Sequence, residues 1–115
     1  MAKATELAIV RRRDGASVID MPVHIDINSE ATLDTAYSEI GLPDRSLLLN
    51  FAGTEYINSS GIALIVSILA RARKEHRTVA AYGLSEHYRE IFEVTRLADF
   101  MGVFPDEQAA MAGKQ

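Results

Sequence analysis

Residues 47–62 read Leu47-Leu48-Leu49-Asn50-Phe51-Ala52-Gly53-Thr54-Glu55-Tyr56-Ile57-Asn58-Ser59-Ser60-Gly61-Ile62. The leucine run, confined between Pro43 and Gly53, is too short for a helix and too uniformly apolar for a strand with one wet face. It predicts a strand covered on both sides, from about Arg45 to Phe51. Beyond the polar loop, Ile62, Ile65, Val66 and Leu69 recur at helical spacing with Leu64 and Ile68 beside them, which predicts a helix over 62–72 nearly enclosed by protein. Arg71, Arg73, Lys74, His76 and Arg77 mark its end, where the helix dipole favours cations. Thr78-Val79-Ala80-Ala81-Tyr82 then supplies a second strand. A strand-helix-strand connection of this length forces the two strands to be parallel, with a right-handed crossover.

Working outward, Glu6–Arg12 and Ala16–Met21 are β-favouring runs separated by Arg13-Asp14-Gly15, and Asp-Gly between such runs is a strong hairpin signal. Pro22 suggests an edge or bulge, and the extended run Val23–Ile27 ends near Asp26. Asn28 or Ser29 can cap a helix with Leu33, Ala36, Tyr37 and Ile40 on one stripe; Gly41 ends it and Pro43 prevents its resumption. Towards the C-terminus, Gly83 is a turn and Ser85 caps a helix carrying Tyr88, Ile91, Phe92 and Thr95. Phe100–Phe104 is a last short strand, and Pro105 begins a helix to about Met111, leaving a tail, Ala112–Gln115, with nothing to bury. The expected fold is α/β, a mixed sheet of about five strands with an N-terminal antiparallel hairpin and about four helices. No repeat or linker interrupts it, so the 115 residues read as a single domain with its core at about 6–111.

Composition narrows the function. Absence of cysteine excludes disulfides, thiolate metal sites and a cysteine nucleophile, and fits a reducing, cytoplasmic setting. No run reaches the ~18–20 apolar residues of a membrane span, and Met1–Glu6 lacks the order of a secretory signal. The net charge of −4 falls entirely in the first half of the chain, which argues against direct nucleic-acid binding. His24, His76 and His87 show no ligand spacing, so no metal is expected, and no phosphate-binding glycine loop or other cofactor motif occurs. A serine hydrolase would need Gly-x-Ser-x-Gly, whereas Ile57 and Asn58 precede Ser59. Arg11-Arg12-Arg13 reads most simply as exposed charge that keeps an edge strand from pairing with other sheets. Tyr88, Ile91 and Phe92 read as core, and Met101, Phe104 and Met111 as either a packed last helix or a partner-facing patch.

The chemistry sits where strand passes to helix, at Asn58-Ser59-Ser60-Gly61. In open α/β sheets, sites collect at the carboxyl ends of strands, and a helix N-terminus favours an anion. The plainest role for Ser59 is an N-cap with Ser60 as first helical residue. Asp26, at the end of the earlier extended run, is either a turn or cap residue or a second element of the same site.

Asn58-Ser59-Ser60-Gly61-Ile62 resembles the Asp-Ser-Ser-Gly-Leu segment of the STAS domain, the family of sulfate transporters and anti-sigma-factor antagonists. Leu49-Asn50-Phe51 followed by Tyr56-Ile57 is similar to that segment's usual lead-in, Ile25-Asp26 with Ser29 and Leu33 to the opening of the first helix, and Leu84-Ser85 with Phe92 and Leu97 to a later one. The resemblance covers about 6–111. It implies a non-catalytic anti-sigma-factor antagonist in a partner-switching cascade, whose unphosphorylated form binds an anti-sigma factor that is also a serine kinase and so frees the sigma factor. By position, Ser59 would be the phosphorylated serine, with Ser60 the second choice. Asp26, Asn58, Ser60 and Gly61 would shape the loop and the partner contact, and a serine phosphatase would reset the switch. A phosphate adds roughly −1.5 to −2 charges, which a helix N-terminus accommodates but a partner interface does not. Asn58 departs from the pattern by lacking a charge. It would alter kinase recognition if the carboxylate is read, or serve equally if only a turn acceptor is needed. The other reading is a STAS adaptor, never phosphorylated, in a signalling or transporter complex.

Overall fold

The computed structural model describes residues 6–41 and 43–113; the N-terminal reading at 1–5 and the end of the tail at 114–115 lie outside the described residues. The hairpin forms where expected. β1 (Ile9–Arg13) pairs antiparallel with β2 (Ala16–Asp20) in the register Arg13↔Ala16, and Asp14 and Gly15 between them have φ of 47° and 82°. Positive φ at both positions is the two-residue turn that matches the twist of a hairpin, and Asp-Gly tolerates it.

β2 is followed by β3 (His24–Ile25), α1 (Glu30–Ser38), β4 (Ser46–Asn50), β5 (Tyr56–Ile57), α2 (Ser59–Lys74), β6 (Thr78–Tyr82), α3 (Glu86–Val94), β7 (Gly102–Phe104) and α4 (Glu107–Gly113). The main sheet has the order β1-β2-β4-β6-β7, antiparallel only at the hairpin and parallel elsewhere. β4 is central, and its leucines are covered on both faces. Leu47 and Leu49 join Ile19, Ile65, Phe92 and Tyr37 in the larger core beneath α1, α2 and α3, whereas Leu48 joins Val18, Ala80 and Ala110 beneath α4. Phe51 and Phe92 meet edge to face in the larger core, with ring centroids 5.6 Å apart.

Several boundaries differ from expectation. α2 begins at Ser59 rather than Ile62, and it is half-exposed rather than enclosed: Ile65, Ile68, Leu69 and Ala72 are buried, but Ala63, Val66, Ser67 and Ala70 face outward. A helix lying on one face of the sheet buries only one stripe, and the further apolar positions fall outside it. α1 is shorter than expected, because Ile27–Ser29 forms a 3-10 turn before it. Asp26, not Asn28 or Ser29, supplies the cap. β3 does not extend the main sheet but pairs in parallel with β5 as a separate two-stranded ribbon. The last strand is confined to Gly102–Phe104, with Leu97–Asp99 in a 3-10 turn, and α4 runs on through Ala112 and Gly113. Met101 is buried in the larger core while Phe104 and Met111 pack on the smaller one, so the three do not form an outward patch.

The arginine triplet is the main correction. Arg11 bonds Asp20 at 3.0 and 3.1 Å and also reaches Glu107 and the Tyr82 hydroxyl; Arg13 bonds Glu107; Arg12, on the opposite face, holds Asp44 at 2.7 and 2.9 Å. Instead of only discouraging association, these side chains tie the edge strand to α4 and to the turn before β4. Hydrogen bonds from Arg11 and Tyr82 hold the Glu107 carboxyl down at about 2, against an ordinary 4.5. Asp44 is buried and likewise held below its ordinary value by Arg12, with a further bond from the Ser17 hydroxyl at 2.8 Å.

Candidate functional site

The loop between β4 and α2 is held by backbone and side-chain bonds from three directions. Asn50 Oδ1 accepts the Ala52 amide at 2.9 Å as β4 ends. The Thr54 hydroxyl donates to the Pro22 carbonyl at 2.7 Å, and the Glu55 amide to the Val23 carbonyl at 2.8 Å. Two-residue pairing then sets His24 beside Tyr56 and Ile25 beside Ile57. From α3, the buried Tyr88 hydroxyl accepts the Ile57 amide at 2.9 Å. Tyr88 was legible only as a core residue, since its helical spacing carries no sign of this bond.

The loop delivers Asn58 in extended conformation to the start of α2. Its Oδ1 accepts the Gly61 amide at 2.9 Å, so Asn58 is the N-cap. Its own amide donates to the Ile25 carbonyl at 3.2 Å. Ser59 is therefore the first helical residue rather than the cap expected of it, and the absence of a carboxylate at 58 leaves the cap intact. Ser59 is exposed and Ser60 half-buried, and neither hydroxyl has a partner among the described residues. The amides of these two residues are among the donors that a helix start leaves unpaired, pointing along the positive end of the dipole. Gly61 is fixed by packing: a Cβ there would stand 2.1 Å from the Ile25 carbonyl oxygen. Only glycine lets α2 settle this closely on β3.

Asp26 follows Ile25 directly, so the same strand that supports Asn58 and Gly61 presents it. Its Oδ1 accepts the Asn28 amide at 2.9 Å, and its own amide donates to the Ser29 hydroxyl at 3.2 Å, a reciprocal capping box. The Ser29 hydroxyl in turn donates to the His24 carbonyl at 3.2 Å. The structure thus brings the segments of Asp26 and Asn58-Ser59-Ser60-Gly61 together through β3, and gives Asp26 a cap role. Ile27 and Tyr56, on the segments that flank the serines, leave large apolar side chains exposed.

Comparison with known families matches residues 8–110 to the STAS domain. The chain belongs to the STAS family. No curated protein matches it. Among solved structures, this STAS domain superimposes on an anti-sigma factor antagonist from Mycobacterium paratuberculosis with a TM-score of 0.79 at 18% identity, covering 98% of each chain. An anti-sigma-factor antagonist (STAS) domain protein from Planctomyces limnophilus gives 0.72 at 21% identity, covering 91% of this chain and 94% of that one. The Bacillus cell fate determinant SpoIIAA in its phosphorylated form gives 0.65 at 17% identity, covering 91% and 97%. At such identities the likeness establishes the fold, with its hairpin, five-stranded mixed sheet and four helices. Among the described residues, no helix is long and apolar enough to cross a membrane, and no group of three or more His, Cys, Asp or Glu side chains could hold a metal ion.

Proposed function

We propose that this STAS domain is a cytoplasmic anti-sigma-factor antagonist, switched by phosphorylation of Ser59. The unphosphorylated form binds an anti-sigma factor that is also a serine kinase and so releases the sigma factor; phosphate on Ser59 blocks that binding, and a serine phosphatase restores it. The chain acts as a ligand and catalyses nothing. One observation carries the reading: Asn58 does the capping, so the exposed Ser59 hydroxyl is spared for modification. Ser60 is less accessible, which ranks it second. The likeness to SpoIIAA, a protein solved in a phosphorylated form, supports the assignment. The helix start tolerates the added charge, while the exposed Ile27 and Tyr56 are surface that a partner would bury beside it, where a dianion costs desolvation and repulsion. Asp26, Asn58 and Gly61 act by holding the loop.

The test is affinity for the host's candidate anti-sigma kinases. Ser59→Ala is expected to bind as wild type does and to stay bound when ATP is added, whereas Ser59→Asp weakens binding at least about tenfold, the effect of one unpaired interfacial charge. Equal affinities of all three proteins for every kinase would overturn the reading and favour an adaptor that is never phosphorylated.

A further inference from the structure

β1 is an edge of the main sheet, and among the described residues no strand lies on its outer side. The hairpin fixes which backbone groups face that way. Asp14-Gly15 is a two-residue turn, so the flanking Arg13 and Ala16 exchange both of their backbone bonds, and by alternation Arg11 and Ile9 also bond inward, to Val18 and Asp20. The amides and carbonyls of Val10 and Arg12 therefore point away from β2, with those of Ala8 next in the same phase. The opposite edge of the sheet, β7, is only Gly102–Phe104 and runs straight into Pro105.

An edge strand with three arginines ordinarily repels a copy of itself. Here each guanidinium is held by a carboxylate of its own domain: Arg11 by Asp20 and Glu107, Arg13 by Glu107, and Arg12 by Asp44. Three cations meet three carboxylates, so β1 and its ion-pair partners sum to zero charge and select neither an acidic nor a basic segment. What stands outward is apolar: Ile9 is 56% exposed and Leu7, two residues before it, 44%.

We infer that β1 pairs antiparallel with β1 of a second copy of this chain, about a two-fold axis at Ile9, joining the two five-stranded sheets into one. Val10 of each copy exchanges amide and carbonyl bonds with Ala8 of the other, and the two Ile9 side chains oppose each other at the closely spaced position of the ladder. The neighbouring registers match less well: a two-fold at Arg11 opposes two arginines, and one at Val10 sets each Ile9 against an arginine. So short a pairing makes a small interface, and the dimer is accordingly weak, with a Kd on the order of 0.1 mM. It uses no residue of the Asn58–Gly61 segment and stands apart from the phosphorylation reading.

The chain has no cysteine, so Ile9→Cys supplies a single thiol at the axis. Cα atoms directly opposite there are about 4.5 Å apart, within the span of a disulfide. With oxidised glutathione as oxidant, Ile9→Cys is expected to form a covalent dimer at least about tenfold faster than Val94→Cys, a more exposed position on α3, because pairing holds the axis thiols at an effective concentration in the mM range. Sedimentation of the unmodified chain is expected to pass from monomer to dimer between about 0.01 and 1 mM. Ile9→Glu opposes two carboxylates at the axis, and Val10→Pro removes an outward amide while sparing the bonds to β2; each is expected to remain monomeric at about 1 mM. Cross-linking of Ile9→Cys no faster than that of Val94→Cys would overturn the proposal, as would a wild-type chain that stays monomeric throughout. A dimer kept by either Ile9→Glu or Val10→Pro would also overturn it, giving the association to another face of the chain.

Discussion

α2 and α3 each leave the carboxyl end of a parallel strand through a loop, and each has serine at its start. At α3, Ser85 is the N-cap and its Oγ accepts the Tyr88 amide at 3.2 Å. At α2, Asn58 takes that place and accepts the Gly61 amide at 2.9 Å, so the serines fall one and two residues later, their hydroxyls unengaged among the described residues. The residues three beyond each cap differ as sharply. Tyr88 sends its hydroxyl across to the Ile57 amide, whereas Gly61 has no side chain because the Ile25 carbonyl fills that space. One helix start spends its serine on the fold and braces the other, which keeps its serines available.

Acid is expected to have the largest effect, and to act away from both helix starts, since neither Asn58 nor Ser85 titrates. The Glu107 carboxyl sits at about 2 in the fold against 4.5 ordinarily, so the unfolded chain takes up the proton first as pH falls. Its stabilisation, on the order of 3 kcal/mol, is complete above about pH 5 and is lost as pH falls towards 2. Asp44, also depressed, acts in the same direction. Denaturant midpoints measured against pH should therefore drop steeply in the wild type, and start lower but fall less in Glu107→Gln.

Gly61→Ala attacks the start of α2 alone. The methyl group meets backbone at 2.1 Å, so a loss of at least about 2 kcal/mol is expected, even though alanine is otherwise the better helix former by about 1 kcal/mol. A stability equal to wild type in urea melts would contradict the close approach of α2 to β3. Tyr88→Phe leaves the buried Ile57 amide without its acceptor and should cost about 1–3 kcal/mol, with faster hydrogen exchange at Ile57 as the local signature. Asn58→Ala and Ser85→Ala each remove a cap and should each cost about 1 kcal/mol. Ser59→Ala should change stability by less than about 0.5 kcal/mol, as for an exposed side chain with no bond to lose. If Ser59→Ala cost as much as Ser85→Ala, the contrast between the two helix starts would fail.

The same contrast marks how far the sequence could be read. The leucine run of β4, the Asp-Gly turn and the helical stripes of α1 and α3 are local patterns, and each led to the right element and neighbour. The start of α2 at Ser59 is hard to read locally, because Ser59-Ser60-Gly61 has weak helix propensity and both Asn and Ser can cap. β3 and β5 are two residues each, too short for periodicity to separate them from loop, yet they set Ile25 against Gly61. The ion pairs of the arginine triplet have no local signal, because its partners Asp44 and Glu107 lie 32 and 94–96 residues away in the chain and meet it only through the sheet. Resemblance to the STAS family, rather than spacing, singled out Ser59.

Incubation of wild type and Ser59→Ala with the candidate serine kinases and ATP, followed by intact-mass measurement and site mapping, tests the central claim most directly. One phosphate on Ser59 of the wild type, and none on Ser59→Ala, is the expected result. Phosphate on Ser60 with none on Ser59, or no phosphate with any kinase, would contradict the account.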